Sequence, residues 1–381
     1  MTTQSDAALP ARHALGVAAL LGVIHAVVDA SCVALLIQGS SLGSVPGAGE
    51  ALVWLPDVSL WDLYILYNAL AFGTQFSIGA VADRWGAYRP TALVALGLLA
   101  GGVAIGPVVP LVAVVLAGLG NAAFHVGAGA LVLRLSPDRA GPSGVFVAPG
   151  AIGLAVGAWC GLSLECWPWI SLGLLAAGAG VLWKMDDAGL PWKTSRAGPT
   201  GLAPRPRPVA IGSRLVLVCV LALLVSIVIR STGGLLVGAA HRGQVHVLWG
   251  LAIAAFAGKA IGGLVSDGLG WIKTSLIALV LSAPLLSLLA QDAPAAVAGM
   301  LLFQMTMPVT LLAVYRALPD EPGLAFGLTT LALLVGAVPV FVLPTQWLTG
   351  PLWLLGLIGA SVVALLVGLP PILRSAGRAG C

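Results

Sequence analysis

Charge is what this sequence has least of: Asp, Glu, Lys and Arg make up 8% of its 381 residues. A soluble domain carries roughly 25%, so there is too little charge to clothe a water-facing surface. Polar stretches are equally scarce, and the longest is the 26 residues from Asp186 to Ile211. That is far too short for a nucleotide-binding domain. Neither a GxxxxGK[ST] loop nor an HExxH pair occurs, which excludes an ATP-driven pump and a zinc hydrolase of those types. No enzymatic activity and no cofactor is expected. Cysteine pairs are missing too: Cys32, Cys160, Cys166, Cys219 and Cys381 form no CxxC spacing and are odd in number. Neither a disulfide framework nor a thiolate metal site is implied.

What is present is apolar. Hydrophobic residues make up 59% of the chain, and the mean hydropathy is +1.04. The 50 Gly and 25 Pro lie inside apolar runs, where membrane helices tolerate them. A helix needs about 20 largely apolar residues to cross a bilayer. On that measure the sequence predicts an all-α integral membrane protein with twelve spans, at 13–37, 60–82, 90–108, 109–134, 142–164, 166–185, 212–238, 244–267, 271–290, 293–317, 322–346 and 351–374. The first, containing His25 and Asp29, is read as retained, because a signal peptide has an uninterrupted apolar core. The expected organisation is a six-helix bundle over 1–185, a Pro-rich basic linker over 186–211 and a second six-helix bundle over 212–381.

An even number of spans puts both ends of the chain on one side. On that side fall Arg12, Arg84, Arg89, Arg134, Arg139, Lys184, Lys193, Arg196, Arg205, Arg207, Arg214, Lys273, Arg316, Arg374 and Arg378, against Arg242 alone opposite. Basic loops stay in the cytosol, so the expected setting is a bacterial inner membrane with cytoplasmic termini. The rule also accounts for the basic linker, so nucleic acid is not an expected partner.

The chain repeats itself. Gly79-Ala-Val-Ala-Asp83-Arg84-Trp-Gly86 follows the second span, and Gly263-Leu-Val-Ser-Asp267-Gly-Leu-Gly270 follows the eighth, 184 residues on. Arg134-Leu-Ser-Pro137-Asp138 follows the fourth, and Arg316-Ala-Leu-Pro319-Asp320 follows the tenth, 182 residues on. Two matches at nearly one offset and equivalent places indicate a duplicated six-helix unit, with parallel repeats about the membrane normal.

At these residues the sequence resembles the major facilitator superfamily. Gly79, Asp83, Arg84 and Gly86, with Arg89 beyond, match that family's signature between its second and third helices. In the second half Gly263, Asp267 and Gly270 match, but Gly268 stands where a basic residue is usual. The resemblance implies that Gly79, Asp83, Arg84, Gly86, Arg89 and Asp267 form a conformational latch holding the outward-open state. A carboxylate there suits a neighbouring helix N-terminus, and the arginines offer opposite charge. His25, Asp29 and Gly120-Asn-Ala-Ala-Phe124-His125 look, more distantly, like the fosmidomycin-resistance-type exporter branch, which makes efflux one direction to consider.

Ionisable side chains inside spans are costly and mark functional sites by default. The resemblance implies that the first, fourth, seventh and tenth spans line a central cavity, and His25, Asp29, His125 and Arg230 fall on them. His25 and Asp29, one turn apart, share a helix face. Asp29 has the chemistry of a proton carrier, and Arg230 either pairs with Asp29 across the halves or receives an anionic substrate. Tyr64, Tyr67, Asn68, Gln75, Asn121 and Gln304 are secondary cavity candidates, and Lys259 reads as structural. The expected function is a monomeric secondary transporter of a small anionic or zwitterionic solute, coupled to protons. A divalent-metal or metal-chelate carrier using His25, Asp29 and His125 is one alternative. A non-transporting receptor or assembly subunit on a carrier scaffold is another.

Overall fold

A chain whose backbone lies in lipid must satisfy its own N–H and C=O groups, and helices do so within one segment. The computed structural model describes residues 11–42, 60–185, 212–343, 348 and 350–378, and among these residues there is no strand. The linker over 186–211 lies outside the described residues. In chain order the helices are α1 (Ala11–Leu42), α2 (Leu60–Gly73), α3 (Gln75–Trp85), α4 (Tyr88–Ile105), α5 (Pro110–Leu135), α6 (Ala140–Ser163) and α7 (Trp167–Lys184). They continue as α8 (Ser213–Ala240), α9 (Val245–Leu269), α10 (Trp271–Ser287), α11 (Ala293–Gln304), α12 (Met307–Ala317), α13 (Pro322–Val342) and α14 (Pro351–Arg378).

Two pairs act as single broken rods, so the twelve predicted spans correspond to twelve rods. The α11–α12 break falls just before Pro308, which has no N–H to continue the ladder. The α2–α3 break falls at Thr74, whose hydroxyl donates back to the Leu70 carbonyl at 2.7 Å. Ten rods are long and apolar enough to cross a membrane. Of the other two, α7 has 18 residues and α10 has 17, and 17 residues rise about 26 Å. Large apolar side chains such as Leu162, Leu217, Leu288 and Leu352 are exposed on the outside, as a lipid-facing surface requires. The boundary between the third and fourth spans falls at the Pro107–Pro110 bend, as expected.

Small residues set how closely the rods approach. Gly153, Gly157 and Gly161 on α6 face Ala26, Ala30 and Ala34 on α1; a Cβ on each glycine would lie 2.8, 2.7 and 3.0 Å from the opposing Cα. This zipper of small residues at every fourth position presses α1 onto α6 and fixes where His25 and Asp29 stand.

The rods of the two halves meet at both rims. On the rim carrying the basic residues, Asp83 at the end of α3 accepts from Gly323 N (2.8 Å) and Leu324 N (2.7 Å) at the start of α13. Asp267 at the end of α9 accepts from Ala140 N (2.7 Å) and Gly141 N (3.0 Å) at the start of α6. Arg316 of α12 also crosses between the halves, donating to Asp138 Oδ1 at 2.8 Å, while it packs 4.1 Å from the Trp271 ring centre within its own half. At the opposite rim, Trp61 and Tyr64 of α2 pack edge-on against Phe341 of α13, with ring centres 5.7 and 5.5 Å apart.

Candidate functional site

The middle of the bundle holds two polar clusters. In the first, His25 and Asp29 project from one face of α1, and α5 contributes Asn121 and His125. All four are at least nine-tenths buried. Asp29 Oδ2 lies 3.1 Å from His25 Nε2, and Oδ1 lies 3.7 Å from His125 Nε2. Asn121 Nδ2 donates to Asp29 Oδ1 at 3.0 Å. The far nitrogens are tied to backbone: His25 Nδ1–H donates to the Phe146 carbonyl (3.0 Å) and His125 Nδ1–H to the Asn121 carbonyl (2.9 Å). A carbonyl only accepts, so both Nδ1 atoms carry hydrogen. Both Nε2 atoms therefore turn toward the carboxylate. The His25 and His125 rings stand edge to face, 4.4 Å apart at their centres. Gly150 of α6 covers the group, and a Cβ there would lie 2.6 Å from both Asp29 Oδ2 and His25 Nε2.

The second cluster belongs to α8, α9 and the α11–α12 rod. Arg230 is only 3% exposed. Its guanidinium donates to Thr310 Oγ1 at 3.1 Å and more weakly to Thr306 Oγ1 at 3.4 Å. Among the described residues no carboxylate bonds it. The alternative pairing of Arg230 with Asp29 is not what the structure has: Asp29 is held by the two histidines and Asn121, and Arg230 by the two threonines. Lys259 on α9, read from sequence as structural, lies within electrostatic reach of Arg230, Asp29 and His125. It makes no hydrogen bond or ion pair among the described residues. Its closeness to both clusters was not legible in the sequence. Its signal was an intramembrane lysine on a helix whose glycines, Gly258, Gly262 and Gly263, allow tight packing on two sides.

The secondary candidates divide. Asn121 is part of the first cluster, and Tyr67 is buried within electrostatic reach of Asp29 and Cys32. Gln304 faces α8, since a Cβ on Gly234 would lie 3.7 Å from its Nε2. Tyr64 belongs to the aromatic rim. Asn68 bonds back to the Tyr64 carbonyl at 2.8 Å and Gln75 to that of Ala71 at 2.6 Å. Both follow the ordinary four-residue back-bonding of a helix.

Of the predicted latch, Gly79 lets α3 touch Gly323 directly, and Gly86 ends α3 in the left-handed region (φ 62°), where glycine carries no steric penalty. Arg84 is exposed and makes no hydrogen bond or ion pair among the described residues. Arg89 instead donates to the Leu182 (2.8 Å) and Trp183 (2.6 Å) carbonyls at the end of α7. A cation belongs at the carbonyl end of a helix, which explains why Arg89 braces α7 and leaves Asp83 to α13. Asp267 keeps its bonds even though Gly268 replaces the basic residue. A bare G-x-S-x-G pattern begins at Gly39, but Ser41 lies in the last turn of α1 and not on the strand-to-helix turn a nucleophile needs.

Among the described residues, ten rods long and apolar enough to cross a membrane, with ionisable groups buried among them, define a multi-pass α-helical membrane protein. Its fold is that of the major facilitator superfamily transporters. The human organic anion transporter MFSD10 matches with a TM-score of 0.63 at 16% identity, over 96% of this chain and 100% of that one. The E. coli fucose:proton symporter FucP matches at 0.62 and 13% identity, over 96% and 98%. The proton:xylose symporter XylE matches at 0.52 and 14%, over 91% and 96%. No protein-family model and no curated protein sequence matches the chain.

Proposed function

We propose that this protein is a secondary transporter that carries a small anionic solute by alternating access, with Arg230 as the anchor for the anion. One observation carries the reading: a guanidinium that cannot usefully lose its proton is buried at mid-membrane with two threonine hydroxyls for company. Removing such a charge from water is repaid only by a counter-charge. Lys259 adds a second cation nearby. The printed names of the similar structures, an organic anion transporter and two proton symporters, support the same class.

Proton coupling runs, in this reading, through Asp29 and its two histidines, which lie across the halves from Arg230. Asp83 on the α13 N-terminus and Asp267 on the α6 N-terminus act as paired latches of one rim, and the asymmetry of basic residues makes that rim cytoplasmic in a bacterial inner membrane. The recurrence of these contacts 184 residues apart supports a duplicated six-helix unit, 1–185 and 212–381, joined by 186–211.

The test is uptake by the full chain in sealed vesicles, screened against labelled organic anions with and without a pH gradient. At least one anion should accumulate with wild type and not with Arg230→Gln. Equal accumulation by both would discard the role given to Arg230.

A further inference from the structure

We propose that His25, Asp29 and His125 form a binding site for one divalent transition-metal ion of the zinc class. The inference does not rest on the anion reading, since it concerns the first half alone. Two imidazoles and one carboxylate, all at least nine-tenths buried, have ligand atoms within 4.8 Å of one another. Tetrahedral ligands at zinc–nitrogen and zinc–oxygen distances stand about 3.3 Å from each other. Asp29 Oδ2 lies 3.1 Å from His25 Nε2 and its Oδ1 lies 3.7 Å from His125 Nε2, so each imidazole already stands near that distance from a carboxylate oxygen.

The surroundings are built for a cation as well. A metal-ligating histidine almost always donates its other N–H to a carbonyl or carboxylate, which fixes the tautomer and aims the free nitrogen. Here that happens twice, at Phe146 and at Asn121. The ligating carboxylate is itself held by the Asn121 amide. With Nδ1 carrying the hydrogen on both rings, each neutral imidazole presents a lone pair to carboxylate oxygens. Those lone pairs repel unless a positive centre lies between them, either a proton or a metal ion. Three protein ligands leave one coordination position open, which suits an ion that must later leave. The bare Cα of Gly150 provides the room, because any side chain there would meet both Oδ2 and Nε2. Lys259, Cys32 and Tyr67 lie within electrostatic reach of Asp29; the lysine opposes a free metal ion, and the carboxylate with its two imidazole lone pairs outweighs it.

The experiment uses the tag-free full chain in detergent, stripped with chelator and titrated at pH 8 with Zn²⁺ by calorimetry and with Co²⁺ by visible absorption. One ion per chain is expected, with the intense cobalt bands of a low-coordinate nitrogen and oxygen site. His125→Ala and Asp29→Asn should each weaken binding about 100-fold. His246→Ala, at the start of α9, should leave it unchanged. Arg230→Gln, which removes the proposed anion anchor, should bind metal at least as well as wild type, so this inference and the anion reading fail separately. Absence of stoichiometric binding to wild type overturns the proposal whatever the variants do. So does binding that survives His125→Ala in a monodisperse preparation.

Discussion

The two halves of this chain treat buried charge in opposite ways. Asp29 in the first half is surrounded by groups that answer it: two imidazoles, an asparagine amide and a glycine that clears the space. Arg230 in the second half has two hydroxyls and, among the described residues, no carboxylate, with Lys259 adding like charge. A completed cluster can hold a small cation without outside help, whereas an incomplete one calls for a partner from solution. The proposed division of labour follows this contrast, with proton or metal handling on α1 and α5 and solute handling on α8, α9 and the α11–α12 rod.

The sharpest way to break this contrast is Arg230→Gln. Transport of the anion should fall about 100-fold, equivalent to about 2.7 kcal/mol, while Arg230→Lys should recover part of it as a charge without the planar fork. Vesicle flux measures both, and equal activity of all three proteins would erase the distinction between the halves. Asp29→Asn comes next: in a pH gradient of one unit it should lose about tenfold in accumulation while exchange of labelled for unlabelled solute continues. Loss of both activities would make Asp29 a structural member of its cluster. Smaller effects are expected at the rim. Asp83→Asn and Asp267→Asn should each shift the balance of open forms by about fivefold, read by cysteine labelling from either side. The two shifts should be similar, because the carboxylates make similar bonds even though only the first motif has its arginine. Arg84→Gln should produce no measurable change in that labelling, and a change as large as that of Asp83→Asn would restore the arginine to the latch.

Much of the scaffold is legible from sequence because lipid imposes a simple demand, long apolar segments that satisfy their own backbones. The α11–α12 break can be traced to Pro308, but the α2–α3 break at Thr74 has no comparable marker. Within the site, His25 and Asp29 fall on one face by helical spacing alone. Their approach to His125 depends on the Gly153–Gly157–Gly161 seam of α6 against α1, and helical spacing within one segment carries no information about distances between rods. For the same reason Arg230 and Asp29 remained candidate partners until the threonines of the α11–α12 rod were placed. The surroundings of Lys259 come from three different elements, and the end of α7 that offers Arg89 two carbonyls is remote in sequence, so neither environment was legible there.

The ring contacts of Trp61 and Tyr64 with Phe341 also bear on which way the molecule rests. Edge-on ring contacts part with little directional penalty, whereas backbone amides aimed at a carboxylate lose their geometry within a fraction of an ångström. A seam stitched at one margin and merely leaning at the other should yield at the leaning side first. The idle molecule is therefore expected to gape toward the Trp61 margin, and water-soluble thiol reagents should reach a cysteine placed beside Phe341 sooner than one beside Gly323.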